Sequence, residues 1–78
     1  MRYLDSADDH GVPRHSTWHV IMTSRPRPVT TNWGEPGLWY EGLDDRGIEL
    51  EVITVQRGKN EIVVHSMPTN LRYRKKRR

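Results

Sequence analysis

The sequence contains no cysteine among its 78 residues, and it contains no long apolar run. Without cysteine the chain forms no disulfides and carries no thiolate chemistry, which fits a reducing compartment. No stretch approaches the roughly 20 apolar residues of a membrane-spanning helix. Arg2 is followed by no apolar segment of the kind that a secretory signal peptide carries. We therefore expect a cytoplasmic protein without membrane partners.

A chain of this length makes one domain with a modest core. We expect a single α+β domain over residues 1–71, followed by a basic tail over residues 72–78. A core this small gives only marginal stability. A homodimer or a protein partner could therefore supply part of the buried surface.

The positive charge of the chain is concentrated in that tail. The net charge is +3, yet six of the thirteen lysine and arginine residues lie in residues 72–78. The other seven, set against all ten acidic residues, give residues 1–71 a net charge of −3. A basic tail predicts polyanionic partners, and the alternative is a disordered, solubilising end.

The clearest structural pattern is an alternation of apolar and acidic residues within 48–56. A period of two with β-branched residues predicts a strand with one buried face. A second β-branched run covers 61–65, and a glycine that suits a tight turn lies between the two runs. We predict a β-hairpin with Arg57 and Lys59 at its tip and His65 near the end of its second strand. Its apolar residues are expected to share one buried face: Ile48, Leu50, Val52, Ile62 and Val64.

The rest of the chain is interpreted as two helices and two further strands. The first helix covers residues 5–10 and ends at a glycine, which is favoured just after a helix. The second covers residues 14–24 and ends where proline cannot continue it. Strands are predicted at 29–33 and 38–43. The expected fold is α+β, with two N-terminal helices packed on a four-stranded antiparallel sheet. Further expected core residues are Leu4, Val12, Trp18, Ile21 and Leu43.

The candidate site residues are a histidine and a set of basic side chains. His65 is interpreted as a proton-transfer group, since histidine titrates near neutrality, or as a plain polar strand residue. Arg57 and Lys59, with Arg72 after the last strand, are expected to neutralise phosphate charge, unless the hairpin tip is merely solvated. Tyr73 could stack on an unpaired base. The remaining expected nucleic-acid contacts are tail residues: Arg74, Lys75, Lys76, Arg77 and Arg78.

No metal site or cofactor is predicted. His15 and His19 lie four apart on the predicted helix, so their rings share a face. A metal site needs a further ligand, and the sequence has no His-Glu-x-x-His pattern. Both histidines are interpreted as polar residues beside the predicted apolar stripe. Asp44 and Asp45 are interpreted as turn-forming residues.

Several short segments suggest a family. They are Asp9-His10-Gly11-Val12, the aromatic strand 38–43, Arg46-Gly47, the Arg57-Gly58 hairpin, and the ending Val63-Val64-His65-Ser66-Met67-Pro68. Together they resemble the BrnT-like toxins of bacterial type II toxin–antitoxin systems, and the ending is similar to a related group with His-x-Met-Pro. The resemblance implies a fold similar to that of RelE-like ribonucleases, RNA as substrate and an antitoxin as partner. It transfers Arg57 by its motif, whereas His65 stands in for a family arginine that is missing near Met67.

The expected function is that of a small, metal-independent, RNA-cleaving toxin. A ribose 2′-hydroxyl would attack the adjacent phosphate while His65 transfers the proton and Arg57, Lys59 and Arg72 hold the phosphate. Two alternatives stay open. The first is a non-enzymatic module or inhibitor that binds a protein partner, which the acidic body favours because it repels RNA. The second is a nucleic-acid binder that uses only its basic tail.

Overall fold

The computed structural model describes residues 2–4, Ala7 and residues 10–70. The strands of this part form one sheet in the order β1-β5-β4-β3-β2. The last four strands are antiparallel to their chain neighbours, and β1 pairs with β5 in parallel at the sheet edge. The elements are β1 (Arg2–Tyr3), α1 (Arg14–Thr23), β2 (Arg27–Thr30), β3 (Pro36–Leu43), β4 (Glu49–Arg57) and β5 (Asn60–Pro68).

The expectation of two helices on a four-stranded antiparallel sheet is wrong. The sheet has five strands and is mixed, because β1 adds a parallel edge strand that is too short to show a pattern in sequence. Among the described residues α1 is the one complete α-helix, and Thr69 and Asn70 are also helical. The predicted first helix falls mostly on residues outside this part, and its two described residues, Ala7 and His10, are not in an α-helix. The predicted basic tail, residues 72–78, also lies outside the described residues.

Helix α1 has nearly the predicted bounds. It begins at Arg14, directly after Pro13, whose extended backbone supplies the entry. It ends at Thr23, one residue before the predicted end, because Pro26 and the residue before it cannot continue a helix. Among the described residues no helix is long and apolar enough to cross a membrane.

The buried face of α1 differs from the prediction. Trp18 is 47% exposed, whereas Ser16, Thr17 and Val20 are fully buried. Small side chains let the helix lie close to the sheet, and the Thr17 hydroxyl lies 2.7 Å from that of Ser66. Trp18 therefore faces outward, because close approach to the sheet favours small hydroxyl residues over a bulky indole, whereas Ile21, also expected in the core, packs against the buried core.

The predicted hairpin is confirmed. Strands β4 and β5 pair antiparallel, and Arg57 lies opposite Asn60 across the two-residue turn. Gly58 has a φ of 62°, as the first central residue of a type II′ turn requires. Strand β5 continues to Pro68, beyond the predicted end at His65.

A bulge interrupts the hairpin. Thr54 lies opposite Val63, but Ile53 lies opposite His65, so Val64 is an extra residue on β5. An extra residue inverts the faces of the strand on one side of it. The simple alternation from which the hairpin core was predicted therefore fails at this point.

The buried residues form one cluster on each side of the sheet, because Ile62 lies opposite Val55 and therefore faces the other side from Leu50 and Val52. We call the side that packs against α1 the core face and the other side the cavity face. Ile62 and Val64 are buried as expected, but on the cavity face. Trp18, Leu43 and Ile48 were expected in the core and are exposed. The core-face cluster is Ala7, Val12, Val20, Tyr40, Leu50, Val52 and Val63, and the cavity-face cluster is Val55, Ile62 and Val64, with Leu4 and Ile53 packed against it.

Candidate functional site

A cavity of about 480 Å³ lies on the cavity face. Its floor is a row of residues on three neighbouring strands, Trp39, Ile53 and His65, which lie opposite one another in register. Trp33, between β2 and β3, contributes to its rim. Residues that lie directly opposite one another on paired strands face the same side of the sheet, so the three side chains form one row.

A buried carboxylate holds the imidazole in this cavity. Glu51 Oε2 lies 2.8 Å from His65 Nε2, and the two side chains are 3% and 28% exposed. An ionised carboxylate only accepts hydrogen bonds, so with Glu51 ionised Nε2 is the donor of this bond. The bond fixes the orientation of the ring and leaves Nδ1 as the nitrogen that does not contact Glu51.

A second imidazole enters the same cavity. The His10 ring packs edge-on against His65, with 6.1 Å between the ring centroids and an interplanar angle of 77°. His10 reaches this place from the segment before α1, far from His65 in sequence. The cavity therefore contains two imidazole rings, the side chain most often used for proton transfer in enzymes.

The bulge decides on which face His65 lies. The turn register would place His65 opposite Val52, on the core face, if the strands paired without interruption. The extra residue, Val64, instead places it opposite Ile53, diagonal to Glu51. Bulges re-aim side chains in this way and are common beside active sites.

Arg57 contacts the rim of the cavity and not its floor. Its Nη2 and Nε donate to the two carboxylate oxygens of Glu35, at 2.8 and 3.1 Å. Glu35 also accepts from Trp33 Nε1 at 2.7 Å. The hydrogen bonds from Arg57, and then from Trp33, lower the pKa of Glu35 to about 2. The same carboxylate raises the pKa of Arg57.

The structure does not bring Arg57 and His65 together. Arg57 lies four residues along β4 from the residue opposite His65, about 13 Å at the rise of a β-strand. Its role in phosphate binding stays a prediction, as does that of Lys59, which is exposed in the turn. The other predicted contacts, Arg72, Tyr73, Arg74, Lys75, Lys76, Arg77 and Arg78, lie outside the described residues.

His15 and Asp45 have structural partners. His15 Nε2 lies 3.2 Å from Asp45 Oδ2, and Ser16 donates to Asp45 at 2.7 Å. The bond from Ser16 lowers the pKa of Asp45, with His15 contributing. The described residues contain no group of three or more histidine, aspartate or glutamate residues that could hold a metal ion.

Asp44 is confirmed as a turn-forming residue. It is buried and accepts hydrogen bonds from the amides of Arg46 and Ile48 and from the Arg46 guanidinium. Burial alone would raise the pKa of Asp44, but these donors together hold it below its ordinary value. The carboxylate therefore organises the connection between β3 and β4.

The sequence predicted His65 and missed the residues around it. Glu51 was interpreted as part of the outward side of the strand, His10 as a structural residue at the end of the predicted first helix, and Trp33 as the end of a predicted strand. No local signal marks a bulge at Val64, so the pairing of Glu51 with His65 was hidden. The exposed indole and the early histidine become candidates only once the fold places them at one cavity.

Comparisons with protein-family models, with curated proteins and with solved structures found no match to this chain. The resemblance to BrnT-like toxins therefore stays a prediction. The fold and the site define a small α+β protein with an acid–base pair in an aromatic cavity.

Proposed function

We propose that this chain is a ribonuclease that cleaves RNA through the ribose 2′-hydroxyl. The observation that supports this most is the buried Glu51 bonded to His65 in a cavity that His10 also enters. Transesterification at phosphorus needs one group to take a proton and another to give one. Two imidazoles in one cavity supply both.

In the proposed mechanism, His65 Nδ1 takes the proton of the 2′-hydroxyl as the bond from O2′ to phosphorus forms. Glu51 stabilises the resulting imidazolium through its bond to Nε2, as the carboxylate of a catalytic triad does. His10 gives a proton to O5′ as the bond from phosphorus to O5′ breaks. The products are a 2′,3′-cyclic phosphate and a 5′-hydroxyl.

Negative charge also builds up on the phosphate oxygens during the reaction, and a nearby positive group stabilises it. Among the described residues that line the cavity there is no lysine or arginine. In the proposal His10, when protonated, offsets part of this charge. Arg72 and the basic tail are assigned the remaining phosphate contacts.

The toxin role is supported by the sequence resemblance alone. We propose on that basis that the nuclease acts in the cytoplasm and is silenced by a cognate antitoxin. Induction of the chain should then arrest growth, and co-expression of the neighbouring reading frame should relieve the arrest. Arrest that persists with His65→Ala would contradict cleavage as its cause.

Cleavage of a labelled single-stranded RNA by the purified chain tests the chemistry. We expect cleavage to persist in chelator, to leave a 2′,3′-cyclic phosphate, and to fail on a strand with 2′-O-methyl groups. Cleavage of the 2′-O-methyl strand, or a requirement for a divalent ion, would contradict the mechanism. If no RNA is cleaved, the protein-partner module is preferred, and tail-only binding of nucleic acid is the next alternative.

A further inference from the structure

Trp33 places an indole at the rim of the cavity, where 57% of the residue remains exposed. It belongs to neither cluster of buried residues, so the core does not depend on it. A single exposed tryptophan needs no explanation by itself. This one lies in a hydrogen-bonded turn, and its indole donates a hydrogen bond to Glu35.

The backbone of Trp33 is fixed by the turn that carries it. Two backbone hydrogen bonds close this turn. The Thr31 amide donates to the Glu35 carbonyl at 2.8 Å, and the Gly34 amide donates to the Thr31 carbonyl at 2.9 Å. The Thr31 hydroxyl also accepts from the Glu35 amide at 2.9 Å. Gly34 has a φ of 89°, which glycine adopts readily. The indole therefore starts from a defined position.

The ring of Trp33 is fixed by the ion pair next to it. Arg57 binds both oxygens of the Glu35 carboxylate, and one of these oxygens accepts the indole hydrogen. A two-pronged arginine–carboxylate pair is planar and directional. Because the indole has a single donor, this bond uses its polar edge, and the residue lines the cavity while more than half of it stays exposed.

The cavity that Trp33 lines has the size and the aromatic lining to accept a flat ring. A second indole, Trp39, lies on the floor beside Ile53, in the row that ends at His65. A volume of about 480 Å³ lies within the range of small-ligand sites, about 300 to 1,000 Å³. An unpaired base presents a π-face that stacks on an aromatic side chain, whereas the bases of a duplex are already stacked.

We propose that Trp33 is the platform on which the cavity stacks an unpaired base of its RNA substrate, with Glu35 and Arg57 as positioning residues. This inference rests on the proposed ribonuclease function and adds the substrate class, which is single-stranded RNA bound through a base as well as its backbone. It also assigns Arg57 a role that its two bonds to Glu35 support.

Binding to two probes that cannot be cleaved tests the platform. One is a 2′-O-methyl oligonucleotide of mixed sequence, and the other is an abasic strand of equal length and charge. Fluorescence anisotropy should show that the intact protein prefers the strand with bases by about 5- to 150-fold, the effect of one stacked base. Trp33→Ala should bring this ratio close to one, and Trp33→Phe should restore most of it.

Two further variants separate base stacking on Trp33 from the loss of any exposed indole and from a change in net charge. Trp18→Ala, which removes an exposed indole from α1 on the core face, is the matched control and should keep the ratio. Glu35→Ala removes a negative charge, so electrostatics alone would tighten both probes, whereas a positioning role lowers the preference for bases. Melting curves establish that each variant is folded.

An unchanged ratio in Trp33→Ala, or no preference for bases in the intact protein, would overturn the platform. An unchanged ratio in Glu35→Ala would overturn the positioning role. Because neither probe is cleaved, these outcomes are independent of catalysis. A base preference that Trp33 controls, in a protein that cleaves no RNA, would support stacking and contradict the ribonuclease.

Discussion

Two neighbouring residues of β4, one on each face of the strand, are equally buried but have different partners. Leu50 and Glu51 are neighbours in the chain and are 0% and 2% exposed. Leu50 packs in the apolar cluster of the core face, whereas Glu51 bonds to His65 on the cavity face. A buried charge is costly unless it is paired and hydrogen-bonded. Burial alone therefore does not separate a core position from a site position, and the partners of each residue do.

This comparison predicts that substitutions on the core face lower stability and leave the chemistry of the folded protein intact. Substitutions of the polar cavity residues His10, Glu51 and His65 are expected to lower the rate of the proposed reaction and leave stability intact.

The largest expected effect is on the cavity face. His65→Ala should lower the rate of RNA cleavage by about 10²- to 10⁴-fold, since it removes a positioned proton-transfer group. His10→Ala should lower the rate by a factor in the same range. Single-turnover assays measure the rates of both variants. His19→Ala, which removes an exposed histidine of α1, is the matched control and should retain the rate. Full activity of His65→Ala would remove His65 from the mechanism.

The next effect is on the core face. Leu50→Ala should lower the free energy of unfolding by about 2–5 kcal/mol, because it leaves a cavity among fully buried neighbours. Denaturant unfolding measures this loss, which is a large share of the stability of so small a domain. Ile48→Ala, at a residue that is 40% exposed, should cost about 0.5 kcal/mol or less. Equal losses at the two positions would contradict the assignment of Leu50 to the core.

A smaller effect, on the rate of cleavage, is expected at Glu51, the neighbour of Leu50 in β4. Glu51→Gln keeps an acceptor for His65 but removes the charge that stabilises the imidazolium. A hydrogen bond to a charged group exceeds a neutral one by about 1.4 kcal/mol, which is about 10-fold in rate. The loss should appear in kcat with KM and the melting temperature unchanged. A lower melting temperature at full kcat would make Glu51 a structural residue instead.

The hairpin was predictable from the sequence because its signals are local. The alternation in residues 48–56 and a glycine at the turn are sufficient to place β4 and β5 next to each other. The bulge at Val64 has no such signal, since any residue is able to occupy the extra position. It moved the rest of β5 by one place, and with it His65 from the core face to the cavity face.

The rest of the site depends on contacts distant in sequence. His10 meets His65 only through the path of the segment before α1, and Trp33 meets Arg57 only through Glu35. A period or a motif does not encode such meetings. The two-residue β1 was missed for the same reason, because its parallel pairing with β5 is a contact between the two ends of the chain.

The smallest expected effect is a pH dependence at the rim of the cavity. The pKa of Glu35 falls from an ordinary 4.5 to about 2 in the folded chain. A carboxylate with a lowered folded pKa binds protons more readily when unfolded, so its contribution to stability is complete above pH 4.5. That contribution is lost as the pH falls toward 2. Because the pair with Arg57 is at the surface, the effect should be small and should weaken further in high salt.

The measurement compares the melting temperature of the intact chain with that of Glu35→Gln across the acid range. The difference should be constant between pH 7 and the ordinary pKa of the carboxyl group, 4.5, and should then shrink toward pH 2. The substitution lies outside both buried clusters, so it reports on the bonds to Trp33 and Arg57 and not on the core. A difference that disappears already above the ordinary pKa would mean that the Arg57 pair does not hold Glu35 in solution. The support for the indole of Trp33 would then be lost with it, and the rim of the cavity would have to be treated as mobile.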